Sequence, residues 1–169
     1  QTLIDLQRVD VVVHAAAIAT KFSVETATVA DWRHAMDINV HVPAELTRRL
    51  LPALREARGT AIFINSGAGR GSYGDNIVYA ATKHALYALA DGLRKAESTA
   101  GVRVSTVAPG PTDTPMLEGL YAQDDKEYRA EYFIEPVEVA RAIRMIVDAG
   151  ESTQITDVAV RPRIEVGDR

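Results

Sequence analysis

Four dense runs of β-branched and other apolar residues constrain this chain more than any other feature. They cover residues 9–13, 61–65, 102–108 and 155–160. A strand with one wet face alternates apolar and polar side chains, whereas an unbroken apolar run reads as a strand covered on both faces. Stretches with helical spacing lie between the runs, so the order is strand, helix, strand, helix, strand, helix, strand. Such alternation predicts α/β architecture: a doubly wound parallel sheet with helices on its faces.

The connecting stretches carry their own punctuation. A helical region opens at Thr28-x-x-Asp31, a capping box with Asp in place of the usual Glu. It runs through Trp32, Met36, Leu46 and Leu50 to Ala57, where Gly59 is expected to stop it. Pro43 sits inside. Its missing N–H cannot serve the carbonyl four residues back, which belongs to Asn39, so that acceptor must find another partner. The second helix is expected over residues 76–98, with Asp75 as its cap and Gly101 as its stop. Its apolar residues, among them Ala80, Ala85, Leu86, Leu89 and Leu93, cover more than one stripe. A helix apolar on several sides is buried on several sides. One side suits the sheet and another suits a second subunit. Pro136 opens the last helix, Val139, Ile143, Ile146 and Val147 face inward, and Gly150 closes it. Residues 115–135 mix Tyr and Phe with acids at no clear period, which suits a mobile lid over a small substrate.

The chemistry concentrates in residues 66–83. Ser66 ends the second apolar run, a glycine-rich turn follows, and Tyr79 and Lys83 come next at helical spacing. Four residues apart on a helix is one above the other. An ammonium roughly 5 Å from a phenol, at an effective dielectric of about 20, favours the phenolate by about 3 kcal/mol, or roughly 2 pKa units. The expectation is therefore a Tyr79 acidified by Lys83 and able to move protons near neutral pH, with Ser66 holding a substrate oxygen. A serine hydrolase built on Ser66 has little support, since no Gly-x-Ser-x-Gly surrounds it and no clear His/Asp partner order follows. The glycines at 67, 69 and 71 do not fit a Gly-x-Gly-x-x-Gly dinucleotide turn, because Ser72 stands at the third glycine's place.

With Ser66, Tyr79-x-x-x-Lys83 thirteen positions on, Asn39 upstream and Pro109-Gly110 after the third run, the chain resembles the short-chain dehydrogenase/reductases. The resemblance extends from about Val9 to Arg161. It implies a Rossmann-like fold, NAD or NADP as cofactor, and interconversion of a secondary alcohol and a carbonyl. It also implies a homodimer or homotetramer. Asn39, Ser66, Tyr79 and Lys83 would be catalytic, with Lys83 also on the nicotinamide ribose and Asn39 on a proton path. Cofactor contacts are implied for His14, Ala15, Ala16 and Ala17, for Tyr79 and Lys83, and for Pro109, Gly110, Thr112 and Thr114. The family's Asn-Asn-Ala-Gly reads His14-Ala15-Ala16-Ala17 here. That change motivates an alternative, a non-catalytic dinucleotide-binding regulator or partner subunit.

The four-strand order equals the second half of a doubly wound dinucleotide fold. One Rossmann-like domain over residues 1–169 is expected, with roughly 60–90 residues of its N-terminal part missing before Gln1. A net charge of −4 gives no sign of a nucleic-acid partner. The sequence has no cysteine and so no thiolate metal site, and a cytoplasmic location with no membrane contact is expected.

Overall fold

The computed structural model describes residues 6–72 and 74–165. Tyr73 in the glycine-rich turn, the first five residues and the end of the polar tail lie outside the described residues.

Four parallel strands form one sheet in the order β1-β2-β3-β4. They are β1 (Val11–His14), β2 (Thr60–Ile64), β3 (Arg103–Pro109) and β4 (Asp157–Val160). Each pairs in register with the next, Val12 with Ala61, Ile62 with Ser105 and Val107 with Val158. Helices join them: α1 (Val29–Met36) and α2 (Val42–Ala57) between β1 and β2, and α3 (Ile77–Ala96) between β2 and β3. Two more, α4 (Pro115–Gln123) and α5 (Pro136–Val147), lie between β3 and β4. All four strands fall where the apolar runs place them, shifted by one or two residues.

The two faces of β2 and β3 have different partners. Ala61, Phe63 and Val104 pack against Leu86 and Ala90 of α3. Ile62 and Val107 on the other face pack against Ile146, with Val139 and Ile143 of α5 alongside. Leu50 and Leu54 of α2 meet Val102 and Val12. β1 departs from the expectation of a strand covered on both sides. Val11 and Val13 are each 38 % exposed, and β1 is an outer strand of the sheet.

Several helix ends differ from the sequence-based expectation. The Thr28 capping box forms as expected, with Asp31 N–H on the Thr28 side chain and Thr28 N–H on Asp31. At the end of α2 the left-handed residue is Arg58, with φ 48°, and not Gly59. Gly59 is required by crowding: a Cβ there would stand 2.4 Å from the Val9 carbonyl oxygen. Asn76, not Asp75, occupies the cap position of α3 and makes no side-chain cap bond; Asp75 instead pairs with Lys21 at 3.7 Å. Asp148 takes the closing position of α5 that Gly150 was expected to hold. Gly101, with φ 76°, does terminate the α3 region, after a short 3₁₀ turn.

Between α1 and α2 the chain widens into a π-helical turn, Asp37–His41, where Val42 N–H reaches back five residues to the Asp37 carbonyl. Pro43 therefore stands in the first turn of α2, where its missing N–H costs little, and not in a kinked helix interior. Asn39 lies at the centre of this turn and is 1 % exposed. π-turns of this kind recur at functional sites.

Candidate active site

β2 ends against α3, and the site assembles at that junction. Ser66 leaves the strand in extended backbone and caps the 3₁₀ turn Gly67–Gly69, its Oγ accepting from Ala68 N–H at 3.2 Å. Before it, Asn65 is buried. Its Oδ1 accepts from Ser66 N–H at 2.9 Å and its Nδ2 donates to the Lys83 carbonyl at 3.1 Å. The Lys83 ammonium, 2 % exposed, donates to the Ile64 carbonyl at 3.0 Å. It stands 5.5 Å from the centre of the Tyr79 ring.

The electrostatics correct one expectation. Burial raises the Tyr79 pKa and the Ser66 side chain pulls it partly back, so the net shift runs upward, opposite to the expectation. Burial lowers Lys83 itself to about 8. Both shifts have one cause. A desolvated site disfavours the charged form of every group in it. Tyr79 is thus a neutral proton donor in this geometry.

Asn39 reaches the same junction from the other side. Its Oδ1 accepts from Ile18 N–H at 2.8 Å, and its Nδ2 donates to the Ile18 carbonyl at 2.9 Å and to Thr82 Oγ at 3.0 Å. Thr82 in turn donates to the Tyr79 carbonyl at 2.7 Å. The Asn39 side chain thereby ties the loop after β1 to the helix that carries Tyr79 and Lys83. Neither Ile18 nor Thr82 stands out in the sequence. Asn65 left a signal, an amide closing an apolar strand immediately before Ser66.

The residues expected around a cofactor lie at the carboxyl ends of the strands. Ala15 and Ala16 are exposed just past β1 and Ala17 is half-buried. His14 is a correction in part, because its ring turns inward. It stacks on Phe63 with ring centres 4.7 Å apart, and its Nε2 lies 2.9 Å from Thr47 Oγ. Only its backbone remains for the ribose contact. Pro109 ends β3, and Gly110 N–H donates to the Val160 carbonyl at 2.8 Å. A Cβ on Gly110 would come within 2.8 Å of the Arg161 guanidinium, which crosses this turn. The Thr112 hydroxyl donates to the Gly110 carbonyl, and the Thr114 hydroxyl donates to the Thr112 carbonyl while capping α4. Both hydroxyls are thus engaged within the turn.

The segment expected to act as a lid folds as α4 followed by a 3₁₀ turn, Ala130–Tyr132. Tyr121, Tyr128 and Phe133 form a cluster, and Tyr128 donates to Asp113 at 2.5 Å. Lys21, from the loop after β1, pairs with Asp124 at the end of α4 and with Asp75 before α3. Tyr79 lines a small cleft of about 60 Å³ with Ile18, Thr20, Phe22, Ala35 and Val78. A larger cleft, about 400 Å³, lies elsewhere between α3 and β4, lined by Arg70, Tyr87, Asp91, Arg94 and Asp157. It touches none of Asn39, Ser66, Tyr79 and Lys83. Among the described residues no cluster of His, Asp or Glu could hold a metal ion, and no helix is long and apolar enough to cross a membrane.

The chain is similar to known proteins over most of its length. A family model described as short chain dehydrogenase matches residues 1–125. An uncharacterized oxidoreductase of Staphylococcus epidermidis is 28 % identical over 155 residues, covering 91 % of this chain and 65 % of the relative. A crystal structure of a protein of Corynebacterium glutamicum, described as a short-chain dehydrogenase/reductase, is 47 % identical with a TM-score of 0.68, over 95 % of this chain and 66 % of that one. A metagenomic short-chain oxidoreductase in complex with NADP is 27 % identical with a TM-score of 0.74, over 94 % and 63 %. The chain thus spans just under two thirds of the length of each of these relatives.

Proposed function

Because the chain belongs to the short chain dehydrogenase family, we propose that it serves a nicotinamide-dependent oxidoreductase that interconverts a secondary alcohol and a carbonyl. The observation that carries this is the meeting of three side chains where β2 ends against α3: Ser66 beside the Tyr79 phenol, and Lys83 one turn further along α3 with its ammonium 5.5 Å from the Tyr79 ring centre. A nicotinamide dinucleotide, when bound, supplies or takes the hydride.

The residues at hand fit such a group. In open α/β sheets ligands bind in the crevice past the carboxyl ends of the strands. Ala15 and Ala16 lie exposed there, with side chains short enough to leave their backbone approachable. The backbones of His14 through Ala17 and of Pro109, Gly110, Thr112 and Thr114, with Tyr79 and Lys83, would hold it. The NADP-bound relative supports a nicotinamide dinucleotide, and both NAD and NADP stay within this proposal.

In the reducing direction the carbonyl carbon gains the hydride while its oxygen takes the Tyr79 proton. Ser66 donates to the same oxygen and fixes its position. The raised Tyr79 pKa means that the phenol enters this step protonated. In the oxidising direction the alcohol's proton returns to Tyr79. The buried Lys83 ammonium stabilises the phenolate while it lasts, and Asn39 keeps the helix turn bearing both groups in place. Assembly as a homodimer or homotetramer belongs to the same reading.

Tyr79→Phe tests it. Turnover of a carbonyl panel with reduced cofactor, followed by absorbance loss, should fall by roughly 10²–10⁴-fold, the range for a lost general acid. Dinucleotide binding should persist. Full turnover in this variant overturns the assignment, and binding without any turnover in the wild type points to the non-catalytic subunit.

A further inference from the structure

We propose that Asn65 is a positioning residue for this reaction, an amide clamp that sets the spacing between Ser66 and Lys83; the inference rests on the function proposed above. Ser66 needs such a device. On its far side lies the glycine-rich turn at residues 67–71, which meets the hydroxyl through one 3.2 Å hydrogen bond from Ala68 N–H. On its near side the strand ends at Ile64.

Asn65 closes the gap with both ends of one planar group. Its oxygen takes Ser66 N–H at 2.9 Å, and its nitrogen serves the Lys83 carbonyl at 3.1 Å. The partners dictate the orientation: an N–H demands an acceptor and a carbonyl demands a donor. A carboxylate supplies only the first, and an alkyl side chain neither. The clamp is also wedged. The residue is 4 % exposed, and a Cβ on Gly69 would stand 2.5 Å from its Oδ1, so the turn after Ser66 lies directly on the amide. Lys83 is tied to the same strand end twice, by its carbonyl to Asn65 and by its ammonium to the Ile64 carbonyl. The hydroxyl and the ammonium thus share one reference point. Asn65 touches neither substrate nor cofactor in this scheme. It acts through Ser66 and Lys83, and a displacement of about 1 Å at reacting groups is enough to cost on the order of 10²-fold in rate.

Two substitutions in the full protein test the clamp. Asn65→Leu removes both hydrogen bonds at similar volume, and Asn65→Asp keeps the acceptor while losing the donor. We expect kcat to fall roughly 100-fold in Asn65→Leu and about 10-fold in Asn65→Asp, with KM and dinucleotide Kd within about threefold of wild type. The aspartate also carries a signature that a merely structural role lacks. Its kcat relative to wild type should climb as pH falls, because a protonated carboxyl can again donate to the Lys83 carbonyl. A folded Asn65→Leu with kcat within twofold of wild type overturns the clamp, as does a kcat loss matched by an equal loss of dinucleotide affinity. Should the leucine variant fail to fold, Asn65→Asp decides, and a kcat ratio flat with pH overturns the clamp. Tyr79→Phe in the same assay separates the two claims. Lost turnover there beside normal Asn65 variants removes the clamp alone, whereas full turnover there removes the function beneath it.

Discussion

His14 Nε2 meets a hydroxyl whose single hydrogen is already spent. Thr47 Oγ donates to the Pro43 carbonyl at 2.7 Å, so it can only accept from His14, which fixes the Nε2–H tautomer of a neutral ring. Burial lowers the His14 pKa to about 4. The unfolded chain binds a proton near pH 6.5, while the folded chain resists it down to about 4. Stability from this residue is therefore fully present above 6.5 and is lost as pH falls from there toward 4. The shift corresponds to at most about 3 kcal/mol. Denaturant unfolding at pH 7 and pH 4.5 should show that slope in the wild type and a flatter one in His14→Gln. At this scale the sequence was legible in part. Ser66, Tyr79, Lys83 and Asn39 do converge, because strand-end and helix spacing suffice to place them. The acidified phenol was not legible correctly, because spacing reports distance to a charge and says nothing of the water excluded around it. Ile18 and Thr82 pair with Asn39 across long sequence separations and leave almost no local trace, whereas Asn65 left one, an amide at the strand end.

Among the elements, the end of α4 is tied to two other segments by one lysine. Lys21 joins the loop after β1 to Asp124 at the end of α4 and to Asp75 ahead of α3, so one ammonium bridges three segments. Lys21 and Asp124 are each about a quarter exposed, which places the pair between a surface bridge and a buried one. Lys21→Met should raise KM for the carbonyl substrate about two- to fivefold, in line with an ion pair worth up to about 1 kcal/mol. Added salt should raise KM in the wild type and leave the variant nearly unchanged; kinetics at two ionic strengths would read both. The strands, the Thr28 capping box and the Pro136 start were all legible, since each depends on neighbours within a few residues. The ends of α2, α3 and α5 were not. Arg58 takes the left-handed position while Gly59 yields to a nearby backbone, and Asp75 leaves its cap for Lys21.

The molecule as a whole carries an unevenly finished sheet. β2 and β3 are covered on both faces, whereas β1 is an outer strand with Val11 and Val13 each 38 % exposed, and no described strand pairs with its other edge. An apolar outer strand is a template for unwanted pairing. For a chain of these 169 residues, Val13→Lys should reduce self-association in light scattering, with the helical circular dichroism retained. The π-turn over Asp37–His41 has a consequence of another kind. A helical ladder counts residues, and here the count includes one more than a regular turn would hold. Excising a single amino acid at this point would let the ladder close as an ordinary helix, but everything before the cut would swing by roughly 100° about the axis. Asn39 would then face away from Ile18 and Thr82. The register of this turn, and with it the aim of Asn39, depends on the length of the stretch.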